Sequence, residues 1–374
     1  MTMTTEVLPD GLALRRRRRE RALAEMEAHD LDVLVLGRQA NIRYVTGAPQ
    51  RWAAGTHPFG PSCVLVRATG AIHLLNTTDD GVPEDIPHEN IYENSWNPTN
   101  ITAALAHIEG AFTARRVGTD AMSPMFAQLL PLAFPKADLI DGELVMRSAR
   151  RIKTSDEVAA LRGAIRVAES ALAATVAALE PGVSEQFLAG VLMEAMIAAG
   201  VSSPANQDIA WVTSRGHPWR RAGGDRRARP GDLVGFSAGV LAGGYVGEVG
   251  RTHQVGEAPD RNAAALYDRS EALWQRLSGA CRPGAPGSDL LTAYARAGEP
   301  LPPVPVAHGL GMGFDLPVVS AHLPQTAATE RLEPGMVLAV TGYVFEPGVG
   351  AVFEREAVLI TDEGHEVLTT SPSK

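Results

Sequence analysis

Two of the ten histidines stand in settings suited to moving protons. His308 lies in AHGLGMG, where glycines permit a close backbone approach, and His217 opens the loop tripeptide HPW shortly before the turn at Pro230-Gly231. An imidazole titrates near neutrality and can act as acid or base. Glu248, in GGYVGEVGRT, is expected at an inward strand position, where a carboxylate holds a histidine, binds a cationic group or joins a buried ion pair. Arg355 lies between Glu354 and Glu356 in VFEREAVLIT. A guanidinium turned inward suits a substrate carboxylate through paired hydrogen bonds, or it is itself the ion-pair partner of Glu248. Cys63 and Cys281 are far apart, with no CxxC and no His/Cys spacing suited to zinc, and read as buried thiols of a reducing cytoplasm.

The element that must position these groups is the stretch Pro230 to Val255, PGDLVGFSAGVLAGGYVGEVGRTHQV. An apolar run follows a Pro-Gly turn, and glycines at 239, 243 and 244 separate it from a second run ending at Arg251-Thr252, the pattern of a hairpin. Ahead of it, Arg15 to His29 reads as an amphipathic helix whose arginine run is a solvated face, and LDVLVLG as a buried strand. ANIRYVTGAPQRW reads as strand and loop, PSCVLVRATGAIHLLN as a hairpin, NPTNITAALAHIEG as a helix with its cap region at Asn97 to Asn100, and ARRVGTDA as a short strand. Strands alternating with helices indicate an α/β domain over residues 1–147. Lys153 to Glu157 reads as a cap opening a long helix. After Asn206 strands dominate, with helices near Asn262–Ala280 and Ser288–Ala297, giving a second domain over 148–374.

A chain of 374 residues with 45% hydrophobic and 21% charged residues can bury two cores without staples. The net charge of −9 argues against nucleic acid, and no window reaches the roughly 18 apolar residues of a membrane span. A cytoplasmic location is expected.

Five segments in order, LDVLVLGRQANIRYVTG, RRIKTSDEVAALRGAI, PGDLVGF with GGYVGEVGRT, HGLGMGFDLP and LEPGMVLAV, resemble the creatinase/aminopeptidase P/methionine aminopeptidase superfamily of the pita-bread fold. The resemblance implies an α/β N-terminal domain plus an α+β C-terminal domain, a curved antiparallel sheet flanked by helices. It also implies a homodimer in which the N-terminal domain covers the partner's site. Metal-bearing members hold two cations on five ligands, and those positions fall here on Ser237, Glu248, His308, Thr341 and Arg355, with Glu354 or Glu356 brought in by a one-residue bulge. Two hydroxyls are poor ligands for such cations. A guanidinium about 4 Å from a divalent ion costs roughly 8 kcal/mol at an effective dielectric of about 20. No metal and no cofactor are therefore expected.

The HPW segment, the SAGVLAG run and Asp315 after His308 lean toward the ectoine hydrolase, creatinase and dimethylsulfoniopropionate lyase branch. The resemblance implies a small-molecule substrate. It makes His217, His308, Glu248 and Glu356 the expected catalytic set. Arg355, Asp315, Ser237, Thr341, Glu354 and Trp219 are then expected substrate contacts, together with Arg51 and Trp52 from the loop after YVTG. Without a metal to acidify water, imidazoles must handle protons, so the expectation is metal-independent hydrolysis of a C–N bond. A lyase or cyclising enzyme using the same histidines, and a ligand- or protein-binding protein without activity, are the alternatives.

Overall fold

Val33–Leu36 form β1, buried along its whole length because it sits inside a sheet with neighbours on both sides. The computed structural model describes residues 11–49, 60–76, 79, 81–93, 95, 97–201, 203–206, 209–216, 218–219, 226–256 and 260–372. The chain divides into two compact units, Asp10–Arg150 and Arg151–Lys374.

The first unit runs α1 (Leu12–Ala28), β1, α2 (Gln39–Thr46), β2 (Cys63–Val66), β3 (Ile72–Leu75), β4 (Ile91–Tyr92), α3 (Pro98–Ala106), β5 (Arg116–Thr119), α4 (Pro124–Ala133), β6 (Asp138–Asp141) and α5 (Gly142–Arg151). Its six strands are ordered β4-β3-β2-β1-β5-β6, with β1, β5 and β6 parallel and β1-β2-β3 antiparallel. Val33, Val35, Val64, Ile101, Leu105, Phe126 and Leu130 share its core.

Two expectations are corrected here. The segment read as strand and loop after LDVLVLG is the helix α2. Its β-branched Ile42, Val45 and Thr46 favour a strand locally, but Asp120, at the end of β5, accepts hydrogen bonds from the backbone N–H groups of Gly37 and Arg38. Gly47 then closes the helix at φ 75°. The arginine run of α1 is a solvated face only in part: Arg16 and Arg17 are exposed, and the other three are not. Arg18 is fully buried and donates to the Tyr44 carbonyl at 3.0 Å, while Arg15 and Arg19 both pair with Asp85. Helical spacing puts these three on the side that Leu14, Ala22 and Met26 bury.

The second unit opens with α6 (Ser155–Ala177), started by a capping box between Thr154 and Glu157, and α7 (Glu185–Ala198). There follow β7 (Ala210–Val212), β8 (Leu233–Ala242), β9 (Tyr245–Gln254), α8 (Arg261–Ala280), α9 (Ser288–Ala297), β10 (Ala307–Leu310), β11 (Phe314–Val319), α10 (Pro324–Thr329), β12 (Val337–Glu346), β13 (Gly350–Ile360) and β14 (His365–Val367). The antiparallel sheet is ordered β11-β10-β12-β13-β9-β8-β7, with β14 on β13. Helices α6 and α8 pack on one face, here called the back. Leu266, Leu273 and Leu277 of α8 meet Leu338, Val340, Val352 and Val358 there. Gly247 lets α6 approach the backbone of β9, since a Cβ would lie 2.3 Å from the carbonyl carbon of Ala164. The front face carries Ser237, Glu248, His308, Thr341 and Arg355.

Candidate active site

Strand register assembles the front face. Thr341 pairs with Arg355, Arg355 with Gly250 and Gly250 with Ser237, a single row across β12, β13, β9 and β8. Side chains alternate along a strand, so Glu248, two residues from Gly250, shares that face. His308 pairs with Ala339, two residues from Thr341, and shares it as well. All five side chains are buried. Gly250 is required in the row, because a Cβ would meet the Phe353 ring at 2.5 Å and the Arg355 Cβ at 2.8 Å.

Glu248 is the hub. Its Oε2 accepts from Arg355 Nη1 at 2.9 Å and lies 3.4 Å from His308 Nε2. Arg355 Nε donates to Thr341 Oγ1 at 3.2 Å. Burial pushes the Glu248 carboxyl up, but the Arg355 charge and the His308 hydrogen bond outweigh it and hold the group at about 2. The carboxylate is therefore an anion at every ordinary pH, and it orients the imidazole. Ser237 Oγ accepts from Asn206 Nδ2 at 2.9 Å. Asn206 lies over Gly239, where a Cβ would come within 2.7 Å of its amide. Beyond Arg355 the front face becomes aromatic: Trp219 packs on Trp211, Tyr343 and Phe353 with ring centroids 5.2 to 5.5 Å apart, and Arg355 stacks on Phe353 at 5.4 Å.

Ser237, Glu248, His308, Thr341 and Arg355 thus lie on one face, with Trp219 at its margin. Three other expected residues do not join them. The β12–β13 ladder is continuous from Val337↔Leu359 to Glu346↔Gly350, so no bulge turns Glu354 or Glu356 forward. Both point to the back, Glu354 toward Ser270 of α8 and Glu356 onto Arg251 at 2.9 Å. Asp315 is not a loop carboxylate open to substrate. It is fully buried on β11, paired with Lys153 Nζ at 3.2 Å. His217, Arg51 and Trp52 lie outside the described residues.

The sequence reading missed Asn206, Lys153 and Arg251. Period-two counting from Glu248 would have sent Arg251 to the back, and with it Glu356; nothing near Asn206 signals that Gly239 makes room for it.

Residues 159–362, over half the chain, match Metallopeptidase family M24, and residues 18–152 match the Creatinase/Prolidase N-terminal domain. The chain belongs to metallopeptidase family M24. An uncharacterized peptidase of Staphylococcus aureus (strain bovine RF122 / ET3-1) is 27% identical over 235 residues, 61% of this chain and 65% of that one, so the match spans less than two thirds of the relative. The prolidase from Pyrococcus horikoshii OT3 superimposes with a TM-score of 0.77 at 20% identity, covering 96% of this chain and 99% of that one. The X-Pro aminopeptidase from Thermotoga maritima MSB8 gives 0.78 at 18%, covering 95% and 98%. At these identities the structures show the shared pita-bread fold.

The family name implies metal, and the donor set tests that implication. The front row offers one carboxylate and one imidazole, and the carboxylate is already occupied by a guanidinium. Among the described residues no group of three or more His, Cys, Asp or Glu side chains is placed to hold a cation. Two hydroxyls and a +1 charge beside the only front-row carboxylate do not fit a pair of divalent ions.

Proposed function

We propose that this M24 chain is a hydrolase that works without a metal pair, cleaving a C–N bond of an amidine, guanidine or amide in a small amino-acid-derived compound. The observation that carries the reading is the front-face triad. Glu248, held anionic by Arg355, accepts from His308 Nε2, which leaves the basic lone pair of the ring on Nδ1. In this reading His308 moves the proton and Glu248 orients it and stabilises the imidazolium. Arg355, Thr341 and Ser237 supply donors for charge that develops on the substrate. His217 is the second proton carrier in this reading, and Trp219, Arg51 and Trp52 are its further substrate contacts. The branch motifs favour a relative of ectoine hydrolase or creatinase. A homodimer in the cytoplasm belongs to the same reading.

The names of the relatives, peptidase and prolidase, favour a second reading in which the amide is a peptide bond before proline. A single panel separates them. Purified protein is analysed for metal and incubated with creatine, ectoine, simple guanidino acids, dimethylsulfoniopropionate and Gly-Pro, with mass readout. Products whose masses together exceed that of a non-peptide substrate by about 18 units, at under one metal equivalent and lost in His308→Ala, are the expected result. Two metal equivalents with Gly-Pro cleavage would establish the peptidase. Fragmentation of dimethylsulfoniopropionate without that gain would move the chain to the lyases.

A further inference from the structure

The back of the candidate site carries a network that the proposed chemistry does not use. Arg251, on β9 next to Gly250, is almost wholly buried, and its guanidinium is spent on five residues. It grips Glu356 of β13 with both nitrogens, at 2.9 and 3.1 Å. It donates to the backbone carbonyls of Gly250 at 2.7 Å and Arg355 at 3.2 Å, the two central members of the front row. The remaining donors reach the C-terminal segment: Nε to the Pro372 carbonyl at 3.0 Å, and Nη2 to the Ser371 carbonyl at 2.8 Å and its Oγ at 3.1 Å.

That segment is held from the other side as well. Glu169 of α6 accepts from the backbone N–H groups of Thr370 and Ser371 and from the Thr370 hydroxyl, and Thr369 Oγ1 donates to Glu356. The Leu368 N–H closes onto the Ala357 carbonyl at 2.7 Å.

From this we infer that the C-terminal segment Leu368–Pro372 is a strap that positions the front-face guanidinium of Arg355, acting through Arg251. The physical reason is division of labour. A planar guanidinium with five donors can hold two strands and a strap in one geometry, and its bonds to the carbonyls of Gly250 and Arg355 fix the local pleat. The Arg355 side chain leaves that pleat on the opposite face, and its bonds to Glu248 and Thr341 tolerate little displacement. Arg251 and Glu169 are positioning residues: neither touches the front face. The inference rests on the reading of the front row as the site, but its test needs no substrate.

The test follows the Arg355 Nε–H resonance of 15N-labelled full-length protein, identified by its loss in Arg355→Lys. Removal of Thr369–Lys374 is expected to speed solvent exchange of that proton by at least about tenfold, and Glu169→Gln to speed it in smaller measure. Leu192→Ala, a core truncation in α7 away from the strap, is expected to leave it in place. If exchange quickens only at the amides of Thr369–Ser371 while Arg355 Nε–H is unchanged, or if Leu192→Ala moves it equally, the strap is merely an anchored end and the inference falls. Should the shortened chain not fold, Glu169→Gln decides by the same criterion. Absence of turnover in the substrate panel would overturn the hydrolase reading and leave this result intact.

Discussion

Three consecutive residues of β13 show how one strand serves two electrostatic environments. Arg355 faces forward into a set with a single carboxylate, and Glu248 is held there at about 2. Glu354 and Glu356 face backward, where three carboxylates, counting Glu169, gather around the Arg251 guanidinium. Burial, only partly offset by Arg251, pushes Glu354 up to about 7, and Glu356 is raised for the same reason. Desolvation acts on both faces; what differs is the ratio of cations to anions that each face supplies. The front is balanced one to one and keeps its charges. The back carries excess acid, and there burial holds Glu354 toward its protonated form.

The strongest way to break the comparison is to remove the front cation. Arg355→Met leaves Glu248 as a buried carboxylate with only an imidazole beside it, and a loss of about 3–5 kcal/mol in chemical denaturation is expected. The double change Glu248→Gln with Arg355→Met is expected to recover more than half of that loss. Equal losses in the single and double variants would show that the pair is not the front's source of stability.

Much of this arrangement is written in period-two spacing. The motifs around Glu248, His308, Thr341 and Arg355 place these residues on strands, and alternation brings them to one face once the strands pair in register. The same alternation assigns Glu354 and Glu356 to the back, against the expectation of a bulge. What the sequence does not carry is pairing at long range. Asp120 caps α2 from more than eighty residues away, and Lys153 takes Asp315 from the far end of the unit. Arg251 selects its strap from the last residues of the described chain. Such partners are chosen by tertiary packing, which overrides local propensity.

Acidity sharpens the comparison, because the two faces titrate in opposite senses. The Glu248 carboxyl falls from 4.5 to about 2 on folding, so its contribution is present above about pH 4.5 and is lost as the pH drops toward 2. Glu354 rises from 4.5 to about 7, so the folded chain binds its proton more tightly; that contribution is present below about pH 4.5 and is lost as the pH climbs through 7. Each amounts to about 3 kcal/mol. Urea unfolding across pH is expected to show a maximum between these limbs, and Glu354→Gln to flatten the upper limb alone. An unchanged upper limb in that variant would assign it to other groups.

A smaller change tests packing on the front. In Gly250→Ala the new methyl meets both Phe353 and Arg355, and overpacking of this kind costs about 1–3 kcal/mol. Because Phe353 contacts Trp211, with ring centroids 5.3 Å apart, the near-ultraviolet circular dichroism of the indoles is expected to change with it. A stable variant with an unaltered spectrum would mean that the row has more room than its geometry implies.

The smallest expected effect isolates a single hydrogen bond. Thr341→Val keeps the shape of the side chain but removes the oxygen that accepts from Arg355 Nε at 3.2 Å. The loss expected on unfolding is about 1 kcal/mol, since Arg355 retains its bond to Glu248 and only one donor is left buried without a partner. If the front is held chiefly by charge balance, Thr341→Val in the Arg355→Met background costs nothing more, because the donor it served is gone. A further loss there would mean that Thr341 supports β12 independently, and that the hydroxyl belongs to the fold instead of the site.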